Sequence, residues 1–203
     1  MPEQVQITLF TFDELPEESQ KTLILGMRER VCEGVGYEPN YDHIYHEFIK
    51  DMLEKYGADI DVADIQWSGF WSQGDGASFT CDFDASVILP ILNEVLHEED
   101  AAYFEKQELE IDASSVRMTS LYCHENTVSG NIVLYGEPCE RSDKIHGLLE
   151  DHLTAIIRDS CTDLYERLKE EYERATSDDA MIEEIKNIWP GCNFRKDGTI
   201  FAR

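Results

Sequence analysis

Three short stretches of this 203-residue chain carry residue types that can do chemistry at their spacing. In Gln73-Gly74-Asp75-Gly76, paired glycines would let backbone amides converge on a phosphate. The stretch lacks the Gly-x-x-x-x-Gly-Lys-Ser/Thr pattern of a phosphate loop, and no Lys or Arg lies near it. Asp-Gly is instead a strong hairpin signal, because tight turns need positive φ, and Asp75 is then left to meet a cation or a basic partner. The second stretch, Asp42-His43-Ile44-Tyr45-His46-Glu47, invites a metal. The zinc-protease motif spaces its histidines by four with Glu directly after the first. Here they are three apart and Glu47 follows the second, so a polar helix face is the plainer reading.

The third stretch is Tyr122, His124, Glu125 and Asn126 at a strand end. His124 has the chemistry of a general base, with Glu125 or Asp75 to orient it, provided that folding brings the two turns together. The competing reading is a hairpin turn whose His and Asn satisfy backbone groups. Asp75, His124 and Glu125 therefore define one functional class, a metal-assisted hydrolase or small-molecule-binding protein. No Gly-x-Ser-x-Gly elbow, dinucleotide fingerprint or kinase-like motif accompanies them, and no cofactor or resident metal is called for.

The elements that must position these residues follow from periodicity. Val5 to Phe12 alternates as a strand. Pro16 suits a helix start, and Leu23, Met27 and Val31 give that helix its apolar stripe before Gly34 and Gly36. Asn40 caps a second helix to Tyr56, with Tyr41, Ile44, Tyr45, Phe48 and Met52 on one face and Gly57 as its stop. Ala63 to Trp71 and Ala77 to Phe83 alternate as an antiparallel pair around the Asp75 turn, with Ile65, Trp67, Gly69 and Trp71 on one face. A helix over Ala85 to His97 places Glu98-Glu99-Asp100 at its negative end, which the helix dipole disfavours.

Strands are expected over Phe104 to Ile111, Val116 to Cys123 and Thr127 to Tyr135. A long amphipathic helix from about Lys144 to Arg174 follows, then a helix capped by Ser177 and a short hairpin, Phe194 to Ala202, turning at Asp197-Gly198. Strands grouped between helices, rather than alternating with them, predict one α+β domain over residues 1–203 with a helical C-terminal part from about 144. Its mainly antiparallel sheet has about five strands. The polar face of the long helix points to water or offers a homodimer seam.

Forty-three acids stand against 17 bases, a formal charge of −26, and no Lys or Arg occurs between Lys55 and Lys106. Such a surface repels bare nucleic acid and anionic membrane, so the expected partner is basic. Asp75, Asp82, Asp84, Glu98, Glu99 and Asp100, all in the base-free interval, are the expected contacts. A halophile's surface and plain solubility are the competing accounts of the charge. At 42% hydrophobic, with nine Tyr, nine Phe and three Trp, the chain has the apolar content for a core that disordered chains lack. No secretory signal or membrane span is read in it, so the expectation is a cytoplasmic protein with six scattered, reduced cysteines.

Ser68-Gly69-Phe70-Trp71-Ser72-Gln73-Gly74-Asp75-Gly76-Ala77-Ser78-Phe79 and Tyr122-Cys123-His124-Glu125-Asn126-Thr127 together resemble a family of uncharacterised phage and prophage proteins. In that family a Trp-Ser-Gln-Gly-Asp-Gly stretch is followed by a Tyr-x-His-Glu segment. Leu164-Tyr165-Glu166-Arg167-Leu168, Glu171-Tyr172, Asn193-Phe194 and Asp197-Gly198 resemble the family's ending, so the likeness spans most of the chain beyond Ala63. It implies a mobile-element protein acting in a bacterial host. Joined to the charge, it implies a counter-defence inhibitor that mimics DNA and occupies a basic nucleic-acid-binding surface on a host defence factor. Antitoxin-like labels carried by some members imply a third alternative, a regulator that neutralises a basic toxin.

Overall fold

The computed structural model describes residues 7–34, 39–107, 110–118, 120–136, 139–191 and 193–201. In chain order these form α1 (Glu17–Cys32), α2 (Asp42–Tyr56), β1 (Ala58–Asp59), β2 (Gln66–Ser68), β3 (Gly76–Ser78), β4 (Asp82–Phe83), α3 (Ala85–Leu92), α4 (Glu98–Lys106), β5 (Glu110–Arg117), β6 (Val128–Tyr135), α5 (Glu140–Ala175) and α6 (Asp178–Ile188). The chain is α+β. An antiparallel sheet runs in the order β1-β4-β5-β6, and β2 and β3 make a separate antiparallel hairpin. No helix among the described residues is long and apolar enough to cross a membrane. Contacts divide the chain into two compact units, Tyr41–Lys169 and Met1–Asn40 with Glu170–Arg203.

In the larger unit, strand alternation sorts the sheet's two faces. One rung carries Ala58, Phe83, Ala113 and Ile132 inward, all buried, and the next carries Asp59, Asp82, Ser114 and Asn131 outward. The core is completed by α5, whose Ile145, Leu149, Leu153, Ile157, Cys161, Leu164 and Leu168 are fully buried. A large aliphatic side chain so buried contributes about 1.5–3 kcal/mol. Side chains of α5 also meet the outer backbone edge of β6. Gly130 N–H donates to Thr154 Oγ1 at 2.9 Å, His146 Nε2 lies 2.7 Å from Ile132 O, and Arg158 Nε donates to Val128 O at 3.3 Å. A sheet edge that would otherwise invite another strand is thereby covered.

The smaller unit closes over Phe12, Leu15, Ile24, Met27, Val31, Met181, Ile185 and Phe194. Ser177 caps α6 by accepting from Ala180 N–H, and Gly34, with φ +68, follows α1. The C-terminal turn forms at Asp197-Gly198 with Phe194 bridged to Ile200. Gly36, Pro138, Cys192 and Ala202 lie outside the described residues.

Several elements depart from the periodicity. The expected strand over Val5 to Phe12 is absent from its described part. Phe10 makes only an isolated bridge to Phe194, and Thr11 and Glu14 close a capping box that turns Phe12–Glu14 into a 3-10 helix. Pro16 is the N-cap of α1, not its first helical residue. The helix expected to reach His97 is α-helical to Leu92 and continues as a 3-10 turn over Asn93–Val95 before the extended Leu96. A new helix, α4, begins after His97. Phe104 is buried on α4 together with Asp100, one turn earlier, and not on a strand, so a single strand, β5, replaces the two expected between Phe104 and Cys123.

Candidate functional site

The Asp75 and His124 turns meet. Gln73, Gly74, Asp75, Tyr122, His124, Glu125 and Asn126 line one cavity of about 450 Å³. Glycines permit the approach: a Cβ on Gly76 would lie 2.5 Å from His124 Cα, and one on Gly74, where φ is +93, would lie 2.5 Å from the Tyr122 ring. The hairpin is anchored behind this junction by aromatic rings. Trp67 stacks on Phe70 with centroids 5.1 Å apart, meets Tyr41 edge-on at 5.0 Å, and donates Nε1–H to Tyr45 Oη at 2.7 Å, while Phe70 lies 5.6 Å from Tyr165. Each such ring pair contributes about 0.5–1.5 kcal/mol beyond its burial.

Within the junction, Asp75 Oδ2 accepts from the Trp71 and Ser72 amides at 2.7 and 2.5 Å and thereby closes its own turn. His124 Nδ1 accepts from the Asn126 amide at 3.2 Å and lies 3.9 Å from Glu125 Oε2, while Glu125 Oε1 accepts from Asn126 Nδ2 at 2.5 Å. The amide contact assigns the proton to Nε2. A general base must offer an unprotonated nitrogen to its substrate, and here that nitrogen is engaged by the turn. His124 is arranged to donate a hydrogen bond through Nε2. His43 and His46 are exposed on α2, and His46 Nδ1 lies 2.6 Å from the Asp42 carbonyl. Among the described residues no group of three or more His, Cys, Asp and Glu is arranged to hold a metal ion.

The acids of the base-free interval fall into distinct settings. Asp59, Asp61, Asp64 and Asp82 line one cleft of about 460 Å³ together with Ile60, Thr80, Cys81 and Ser115. Asp59 and Asp82 stand directly opposite each other in the β1–β4 ladder, an arrangement of like charges that opposes folding. Arg117 touches the rim, donating from Nη2 to the Asp64 carbonyl at 3.1 Å. Asp84 is exposed but caps α3 through the amide and hydroxyl of Ser86. Glu98, Glu99 and Asp100 occupy the first turn of α4, where the dipole favours them, contrary to the unfavourable placement expected from sequence. Glu98 and Glu99 are exposed. The Asp100 side chain is 8% exposed and bridges Arg141 Nε at 2.9 Å and Lys144 Nζ at 3.0 Å. These partners, Lys144 foremost, hold its carboxyl below the usual aspartate range.

The five described cysteines are free. Burial pushes the thiols of Cys81 and Cys161 up to about 12. Cys139, by contrast, immediately precedes α5 and is exposed. Hydrogen bonds from Ser142 and Tyr103 bring its thiol down to about 7. Sequence reasoning passed over this residue. The available signal was a Cys-x-x-Ser step at the start of a helix, where amides and dipole stabilise a thiolate.

Against known proteins, residues 40–178 match the family described as a domain of unknown function, DUF8835. The match covers more than half of the chain, and the chain belongs to that family. No curated protein and no solved structure matches it.

Proposed function

We propose that the chain is an acidic interaction protein of phage type, a counter-defence inhibitor whose carboxylates take the place of DNA phosphates on a basic nucleic-acid-binding surface of a host protein. The observation that carries this reading is the cleft of Asp59, Asp61, Asp64 and Asp82, whose lining contains no Lys or Arg. A grouping of like charges opposes folding, and a partner's cations would relieve it. Glu98 and Glu99 add exposed carboxylates on α4. Asp100 serves α5 through Arg141 and Lys144, and the Asp75 oxygen described above serves its turn, so neither is placed first among the contacts. The phage setting rests on the resemblance of the Trp71–Gly76 and Tyr122–Glu125 segments. An antitoxin-like regulator differs from this proposal only in the identity of the basic partner.

Capture from bacterial lysate at low salt tests the proposal, with wild type compared against a variant carrying Asp59→Asn, Asp61→Asn, Asp64→Asn and Asp82→Asn. The expected result is a basic nucleic-acid-binding protein retained by wild type alone, released by salt and displaced by added DNA. Equal retention by both proteins, or displacement by neither salt nor DNA, would sink it. A second reading, a small-molecule-binding site, is favoured by the meeting of Asp75, His124 and Glu125 around one cavity. Its check is His124→Ala, which on that reading abolishes ligand binding while the fold survives.

A further inference from the structure

The junction of the two turns carries exposed apolar side chains. Trp71 is 74% exposed, Leu121 99% and Tyr122 55%, with Met118 at 49% nearby in sequence. Scattered apolar residues on a surface are ordinary. Here, however, Trp71 and Tyr122 project from turns that are locked to each other. Asp75 binds the Trp71 amide, Gly74 lies against the Tyr122 ring, and Gly76 lies against His124. Trp and Tyr are the residues most often found to dominate binding energy at interfaces, and anchors already fixed in place lose little freedom on binding. The same hairpin that keeps Trp67 and Phe70 packed inward leaves Trp71 outside, so hairpin stability does not require the Trp71 ring to be buried.

We infer that Trp71, Leu121 and Tyr122 are the apolar anchor of a docking surface that takes a partner-protein segment carrying Lys or Arg beside an apolar or aromatic residue. The inference deepens the acidic-docking proposal and rests on it for the charge of the partner. Asp75 and Glu125 line the cavity beside Tyr122, and the hairpin lies wholly in the base-free interval. Lys169 Nζ already stands 5.9 Å from the Trp71 ring centroid, which shows that the ring can face an ammonium group. Asp64 and Thr80, which line the aspartate cleft, flank the same hairpin in the chain. Asp64 and Trp71 are seven residues apart, a reach of at most about 25 Å for extended chain, which is within the span of one ordinary interface. Anchor and cleft can engage one basic element together.

The test is selection of a random dodecapeptide display library on the immobilised protein at low salt, followed by affinity measurements with the enriched peptides. The expected peptides pair Lys or Arg with an aromatic or aliphatic residue. Trp71→Ala should weaken them at least tenfold and Leu121→Ser severalfold, with each variant's circular dichroism spectrum and cooperative unfolding retained, so that the loss is one of binding and not of fold. The fourfold Asp→Asn cleft variant should also weaken them and flatten their salt dependence. Basic peptides lost on the cleft variant but indifferent to Trp71→Ala and Leu121→Ser would overturn the anchor and leave the acidic-docking proposal standing. Trp71-dependent peptides without a basic residue would overturn the partner chemistry inferred here, and a library that yields no binders would overturn the docking site itself.

Discussion

Asp100 and Cys139 are 39 residues apart in the chain, yet both owe their chemistry to the start of α5. Asp100 accepts from Arg141 and Lys144, and its folded value is depressed below the ordinary value of about 3.9 expected in the unfolded chain. A carboxyl depressed on folding stabilises the fold above its unfolded value and loses that contribution as pH falls through the folded one. Asp100→Asn should therefore lower the urea midpoint at pH 7, and its deficit relative to wild type should shrink steadily as pH falls below about 4. A deficit constant with pH would show that the carboxylate is not ionically engaged. Reversal of Glu98 and Glu99 to Lys probes partner contact; reversal of Asp100 would confront two cations and probe folding instead.

At Cys139 the expected readout is alkylation. Its rate with iodoacetamide, followed by peptide mass analysis, should rise with pH around a midpoint near 7, whereas Cys81 and Cys161 should stay unreactive in the folded protein. Tyr103→Phe removes a hydroxyl 3.3 Å from Sγ and should move the midpoint upward. An unmoved midpoint would assign the lowered value to Ser142 and the helix terminus alone.

At the scale of elements, the β2–β3 hairpin and the loop before β6 behave as one unit because glycines at 74 and 76 let them meet. Gly76→Ala inserts a methyl 2.5 Å from His124 Cα, a backbone neighbour that has no rotamer by which to move aside. Overpacking of this kind costs about 1–3 kcal/mol, and chemical denaturation should register it as a lower midpoint with an unchanged slope. Gly26 and Gly147, which have nothing within 4 Å of an added Cβ, provide controls where Ala should be neutral or stabilising, since both lie inside helices. The element scale is also where sequence patterning failed most visibly. The helix expected over Ala85 to His97 tightened into a 3-10 turn after Leu92, and α4 formed where a strand was expected to start at Phe104. Gly69, with φ +34, ended β2 before Trp71 could join the face shared by Ile65 and Trp67, and thereby left the indole outside.

For the whole molecule the charge of −26 dominates. Self-repulsion opposes the compact state and is screened by salt, so the melting temperature should rise as NaCl goes from about 10 mM to about 0.15 M, where the Debye length falls from roughly 30 Å to 8 Å. The same salt should weaken capture of a basic partner. A melting temperature that falls with salt would mean that the acids are balanced locally by ion pairs such as Arg167 with Asp51 and Asp163.

Composition and short-range pattern by themselves determined the α+β class, the existence of the central hairpin, β6, the long C-terminal helix and the Ser177 cap, because each depends on periodicity or on a residue's own φ preference; the hairpin's turn itself closes from Ser72 to Asp75 around Gly74, with φ +93, while the Gly76 of the expected Asp75-Gly76 turn lies in β3. They also determined that the surface is anionic. Only the tertiary structure decided which carboxylates are available. Strand pairing set Asp59 opposite Asp82, and packing of α4 near the start of α5 gave Asp100 to Arg141 and Lys144. Contact between Gly76 and His124 joined two turns 48 residues apart in the chain. Such choices rest on residues distant in sequence, where burial and the distance between charges, rather than local propensity, set the energy.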